Sequence, residues 1–307
     1  MQVSTNYLFD RASAQMSQLQ NDLAKSQAQI SAQKQVLNPS DAPDQAAAIT
    51  RLKSVIGRND TYSTALDTVQ GRLETESTTL SSASDVLIRI KELAVQANNG
   101  TQGANSRTAI ATEMKGLRDQ LLSLANSTDT TGNYIFSGSK VRTPAFTADA
   151  TGAVSYQGDQ TRMHVAIGDQ RAIAVNRPGT NAFVRVVRTA SDGTTSGTGF
   201  FQSIDDLIKG VKDGTSTVMQ RGLTEMDALH QGVVLAQAEA GTDLKVVDQQ
   251  RAVLDDTKLT LKTVLSNVED LDMATAITNM QKLMLSLEAA QSSFAKVSQL
   301  SLFKYLG

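Results

Sequence analysis

TNYLFDRASAQMSQLQNDLAKSQAQISAQKQVL, residues 5–37, decides how the chain is read. Phe9, Ala12, Met16, Leu19, Leu23, Ser26, Ile30, Gln33 and Leu37 alternate steps of three and four, and seven of the nine are apolar. That spacing is a coiled-coil seam. The other faces carry only Asp10, Arg11, Asp22, Lys25 and Lys34 as charges, among Ser, Gln, Asn and Ala. Small uncharged polar residues let further helices approach without burying an unpaired charge. The stretch therefore reads as an assembly element with several neighbours.

The far end keeps the same step. Met273, Ile277, Met280, Met284, Leu287, Gln291 and Phe294 form a seam in which only Gln291 is polar. Ser, Thr, Asn and Gln are modest helix formers, so two weakly charged terminal helices are expected to stay largely disordered until neighbours cover them.

Between the ends lie two longer patterns. Asn38, Pro39, Ser40, Asp41 and Pro43 make a corner, with Asp41 and Asp44 placed to cap the helix that follows. Ala48, Leu52, Val55, Asn59, Tyr62, Leu66, Val69, Leu73, Glu76, Leu80, Ala83, Leu87, Ile90, Ala94 and Ala97 then hold one heptad register. A helix over 42–98 at 1.5 Å per residue is about 85 Å long, a rod. Asn98-Asn99-Gly100 closes it, and a shorter helix carrying Ile110, Met114, Leu117, Leu121 and Leu124 returns. After a helix over 201–212, a second rod runs from Met219 to Val268 through Leu223, Met226, His230, Val233, Gln237, Ala240, Leu244, Val247, Arg251, Leu254, Lys258, Leu261 and Leu265. Its Gly222, Gly232 and Gly241 are candidate bends. The register fails across 269–272, a break expected to face the 38–44 corner.

From about 130 to 200 the period falls to two and Gly, Thr, Asp and Pro rise. Residues 163–167 and 173–175, separated by Gly168-Asp169, read as a hairpin, with 134–136, 154–156 and 183–187 as further short strands. The fold class is mainly α: long-helix rods and a terminal coiled coil, with a small β-rich insertion at the far tip. The expected division is 1–41, 42–135, 136–200, 201–268 and 269–307.

Composition narrows the chemistry. The net charge of −2 gives no electrostatic footprint for nucleic acid or an anionic membrane. With no cysteine, thiolate ligands and nucleophiles are excluded. His164 sits in an alternating strand and His230 on a seam, neither at a metal-site spacing, so no metal or cofactor is expected. Asp205-Asp206 and Asp255-Asp256 read as solvated faces, Gly193, Gly197 and Gly199 do not complete a phosphate loop, and the seam methionines read as packing. The start lacks a basic region followed by a long apolar run, and no stretch is long and apolar enough to span a bilayer.

Four segments carry a family resemblance: Val3-Ser4-Thr5-Asn6; the corner Asn38 to Pro43; the run Leu117-Arg118-Asp119-Gln120-Leu121-Leu122, Ala125-Asn126-Ser127-Thr128 and Gly132-Asn133-Tyr134-Ile135-Phe136-Ser137-Gly138; and Ser301-Leu302-Phe303. Tyr156-Gln157-Gly158-Asp159 is similar to a shorter pattern. Together they resemble the flagellin superfamily, and within it the hook–filament junction proteins. The resemblance implies an extracellular structural subunit of the bacterial flagellum, without enzyme activity or cofactor, that self-associates and touches hook-associated protein 1 and flagellin. It also implies a cytoplasmic export chaperone and type III export without a cleaved signal. It makes Phe9, Met16, Leu19, Leu23, Ile30, Leu37, Ile277, Met280, Met284, Leu287, Phe294, Leu302 and Phe303 self-assembly residues. Leu117, Arg118, Asp119, Leu121, Asn126, Tyr134, Phe136 and Gly138 are its family motif. A minor flagellin of the filament and an intracellular coiled-coil scaffold are the competing readings; copy number separates the first, and location the second.

Overall fold

The structure, a computed structural model, describes residues 2–100, 102–189 and 194–306. Two compact units arise, one from 1–59 with 256–307 and the other from 60–255. Helix α1 (Gln2–Ala32) and helix α7 (Met273–Leu306) belong to the first. Helices α2 (Pro43–Ala97) and α6 (Ser216–Glu269) contribute to both. Pro43 opens α2 where a missing N–H leaves nothing unpaired, and Asp44 places a carboxylate in the first turn. Asp41 does not cap α2. It accepts from the Asn38 N–H and pairs with Lys25 at 3.3 Å, tightening the corner instead.

In the second unit, the stripe from Leu66 to Ala97 on α2 is buried, and Met219 to Leu254 on α6 is buried or half-buried. Helix α3 (Ala104–Ala125) and helix α5 (Phe200–Asp213) pack on each other and complete one core with the far part of α2 and the near part of α6. Two of the three glycines of α6 serve packing, Gly241 faces open space, and α6 is one unbroken helix. A Cβ at Gly222 would lie 2.6 Å from Leu207, and one at Gly232 2.6 Å from Val184. These sites let the helix and its neighbours close to a distance that an alanine forbids.

The β segment forms three separate antiparallel hairpins: β1 (Phe146–Ala148) with β2 (Val154–Tyr156), β3 (His164–Ala166) with β4 (Ala172–Ala174), and β5 (Val186–Thr189) with β6 (Thr195–Thr198). A four-residue helix, α4 (Gly179–Ala182), precedes β5. Periodicity predicts 134–136 as a strand, but Tyr134 makes only an isolated bridge with Thr128. β1 and β6 carry too few alternating apolar residues to be seen in the sequence. The insertion has no core separate from the helices. Strands of three or four residues bury too little to hold together alone, so each hairpin borrows a helix face. Phe136, Phe146 and Phe183 join the core of α2, α3, α5 and α6, while Ile167, Ile173 and Val175 pack on Leu66, Val69 and Leu73 of α2 and Val247 and Leu254 of α6. Five of the eight phenylalanines, with Tyr156, make one chain of ring contacts between 5.1 and 6.3 Å, most of them edge to face.

Turns in this segment reuse one device. Asp129, Asp149 and Asp159 each stand two residues before a threonine, and each Oδ1 accepts that threonine's N–H at 2.8 to 2.9 Å. The Thr151 hydroxyl holds Asp149 below the usual carboxylate range, and the Ser139 hydroxyl does the same, more strongly, for Asp159.

Arginines staple the hairpins to the helices. Arg177, after β4, is 2% exposed and donates Nε to Glu76 of α2 at 2.7 Å, with Glu239 and Asp243 of α6 on its other nitrogens. Burial pushes the Glu76 carboxyl up, against the opposing pull of Arg177. Glu76, one of the two polar members of its stripe, is thus the seat of a salt bridge. Arg177→Met should destabilise the full chain by about 3–5 kcal/mol, because it strands a buried carboxylate, and adding Glu76→Leu should recover most of that loss. Urea unfolding of the two variants measures the difference.

Candidate assembly interface

Helices α1 and α7 lie against each other antiparallel, as two contacts at opposite ends fix. Phe9 meets Phe294 with ring centroids 4.4 Å apart, and Lys34 bridges to Asp270. The two ends of the chain thus form a helix pair, the terminal coiled coil that the matched seams predict. On α1, Ala12, Met16, Leu19, Leu23, Ser26 and Ile30 turn inward, in the expected register, and Ser26 is the most buried of them. Leu37 is half-buried in the turn beyond the helix.

On α7 the inward set is Met273, Ala276, Met280, Leu283, Leu287, Ala290 and Phe294. Here the structure corrects the sequence-derived seam. Ile277, Met284 and Gln291 are exposed, Met284 to 50%. Met273, Met280, Leu287 and Phe294 are common to both patterns, and Ala276, Leu283 and Ala290 replace the other three. The reason is width: α7 is apolar on both flanks of its shared anchors, and the flank with two alanines lets α1 approach more closely. Leu302 and Phe303 lie within α7, and their side chains are outside those described.

The 269–272 break meets the chain just before the 38–44 corner, through individual contacts that periodicity does not specify. Helix α1 ends at Ala32, earlier than the seam suggests, because Gln33 takes a left-handed backbone (φ 56°) and turns the chain toward the end of α6. The Gln35 N–H donates to the Glu269 carbonyl at 2.9 Å, and the Leu271 N–H to the Gln33 carbonyl at 3.1 Å. Glu269 receives Lys34 at 2.8 Å and Lys53 at 2.7 Å. Asp272 caps α7, its Oδ1 accepting the N–H groups of Ala274 and Thr275. Asn38, Pro39, Ser40, Asp41 and Pro43 are all exposed and bound the turn from outside.

The motif residues hold the second unit together. Arg118 is buried, pairs both Asp205 oxygens at 3.0 and 3.1 Å, reaches Asp119 and the Gly152 carbonyl, and lies 5.7 Å from the Phe201 ring centroid. Asn126 imitates a strand edge, exchanging two hydrogen bonds with the Phe146 backbone at 2.8 and 2.9 Å. Gly138 has φ +70°, and a Cβ there would sit 2.2 Å from Asp159. Leu121 and Phe136 are core, Leu117 packs on it, and the Tyr134 carbonyl accepts from Arg72. Asp205 and Asp206 are not merely solvated: the first pairs with Arg118 and the second with Arg188, which also grips Glu225 of α6.

His230 is half-buried against the Ser84 hydroxyl at 2.9 Å, and His164 is exposed on its strand. Gly193 lies outside the described residues. Among the described residues no group of three His, Cys, Asp or Glu is placed to hold a metal, and no helix is long and apolar enough to cross a membrane.

Two family models match the chain: the bacterial flagellin N-terminal helical region over 3–141 and the bacterial flagellin C-terminal helical region over 223–306. The flagellar hook-associated protein 3 of Salmonella typhimurium is 28% identical over 317 residues, covering 99% of each chain. A crystal structure of flagellar hook-associated protein 3 from Legionella pneumophila has a TM-score of 0.66 at 18% identity, covering 72% of this chain and 98% of that one. The flagellar filament 41 kDa core protein of Borreliella burgdorferi is 31% identical over 109 residues, 32% of each chain.

The corner carries a pH dependence. Hydrogen bonds from Lys34 and Lys53 hold Glu269 below its ordinary value of 4.5. A depressed carboxyl stabilises the fold fully above its unfolded value and ceases to do so as pH falls through its folded value. Exchange protection at the Gln35 and Leu271 amides should therefore fall below about pH 4.5. In Glu269→Gln that protection should be weaker at neutral pH and should lose this acid step. Along α1, protection should fade from Ile30 toward Phe9; uniform protection would show that the corner does not anchor the pair.

Proposed function

This chain belongs to the bacterial flagellin family, and we propose that it works there as a hook-associated protein 3. In that role it is a structural axial subunit that polymerises at the hook–filament junction and adapts the hook, through hook-associated protein 1, to the flagellin filament. The observation that carries the reading is the end-to-end alignment with a hook-associated protein 3, against a partial one with a filament protein. The relatives are structural flagellar proteins, and the resemblance supports a place in the flagellum. Type III export, an export chaperone and the division at 41, 135, 200 and 268 belong to the same proposal, as does the absence of catalysis.

The geometry supplies a mechanism. Within one chain α1 and α7 use one flank of each helix. Ile277, Met284 and Leu285 are left facing solvent, the last 68% exposed, although each is a residue that gains by leaving water. Gln18, Asn21, Ala28 and Asn279, small or uncharged, stand on the outer faces with few charges between them. Copies of the same pair can then pack back to back, placing the terminal helices at the interchain core.

Leu23→Asp or Leu287→Asp should abolish incorporation while leaving 60–255 folded, because each places a charge in the α1–α7 seam. Far-ultraviolet circular dichroism and incorporation onto hooks in cells measure the two effects; filaments of normal number built from these variants would overturn the seam assignment. Cells lacking the protein should carry bare hooks and shed unpolymerised flagellin. Filaments persisting in such cells would favour a minor flagellin.

A further inference from the structure

Methionine is the only readily oxidised sulfur in this chain, which has nine methionines and no cysteine. Their burial is uneven. Met114, Met219 and Met226 lie in the core of the second unit, at most 4% exposed, while Met16, Met163, Met273 and Met280 are half-buried. Among the described residues Met284 is the one exposed methionine. It stands on the flank of α7 that α1 does not cover, in line with Ile277, one turn from the inward Met280 and beside the exposed Leu285.

We propose that Met284 is an oxidation site whose modification blocks subunit incorporation, an inference that rests on the assembly reading above. The co-reactant is a peroxide. The thioether sulfur attacks one peroxide oxygen and the O–O bond breaks. An S–O bond forms, the sulfur loses two electrons, and hydrogen peroxide leaves as water. The product is a polar sulfoxide on a side chain that assembly takes out of water. The fold of the single chain does not resist the change, because this side chain is outside both the α1–α7 seam and the cores. Packing between copies does resist it, since the sulfoxide oxygen enters an apolar contact without a matching donor. The reaction is reversible, because methionine sulfoxide reductases return the thioether.

The test uses the purified full-length chain, hydrogen peroxide as the probe, peptide mass spectrometry to place the added oxygen, and incorporation onto hooks isolated from cells that lack this protein. Met284 is expected to oxidise before Met16, Met163, Met273 and Met280, with Met114, Met219 and Met226 last. Treated wild-type protein should lose incorporation roughly tenfold, recover it on incubation with reductases of both stereospecificities, and keep its circular dichroism throughout. Met284→Leu should incorporate equally with and without peroxide. Sulfoxide distributed evenly over the half-buried methionines, or oxidised wild-type protein that incorporates normally, overturns the inference. Leu23→Asp, run alongside, separates the two levels. If it fails to incorporate while oxidised wild-type protein succeeds, the oxidation site alone falls; if it succeeds too, the assembly reading falls with it.

Discussion

A helix of 55 residues with a mainly apolar stripe has to be covered along its whole length, and the rest of the structure follows from that demand on α2. In the 60–255 unit the cover comes from α6, α3, α5 and the hairpins. Near the start of α2, Ala48, Leu52 and Val55 are half-buried within the other unit. The most deeply buried polar residue of the stripe, Glu76, is met by Arg177. Removing water from a carboxylate is costly, and a guanidinium at hydrogen-bond distance offsets that cost only while both stay in place. The ion pair therefore ties the exit of β4 to both long helices at one defined point. Arg118 and Arg188 repeat the scheme between the hairpins and α3, α5 and α6, with part of each pair left at the surface.

In α2 and α6 the packing was legible residue by residue. A 3.5-residue period kept over fifteen positions leaves one face to bury, and every member of both stripes is buried or half-buried. In α7 the same rule misassigned Ile277 and Met284, because that helix is apolar over a wider arc than one partner covers. Periodicity shows that a face is apolar but not which edge of it a neighbour takes. The hairpins were half legible. β3 and β4 alternate cleanly, whereas β6 is Thr, Ser, Gly and Thr, whose pairing comes from its partner and from the Arg185 contact with the Gly197 carbonyl. The Gln33 turn and the Glu269 cluster join residues more than two hundred positions apart: the register break at 269–272 marks the junction, but no local pattern names the partners.

The motif that carried the family resemblance proves structural. Arg118, Asn126 and Gly138 fasten the turns of the second unit, by a buried ion pair, a mimicked strand edge and a backbone angle that suits glycine. The motif of the second unit is thus distinct from the residues that this reading gives to assembly. The first kind makes one exact interior; the second keeps a surface apolar without fixing each side chain, and so leaves a weaker imprint on the sequence.

Among the described residues the three hairpins share no sheet: each pairs with itself and rests on a helix face by a few side chains. Register in one therefore carries no obligation for the next. A loop can lengthen at 149–152 or 168–171 without shifting any other strand. The outer segment is consequently modular in a way that the helices are not. A single inserted residue in α2 would rotate everything after it by about 100° and turn a buried stripe to solvent, so variation in length is channelled into the hairpin ends.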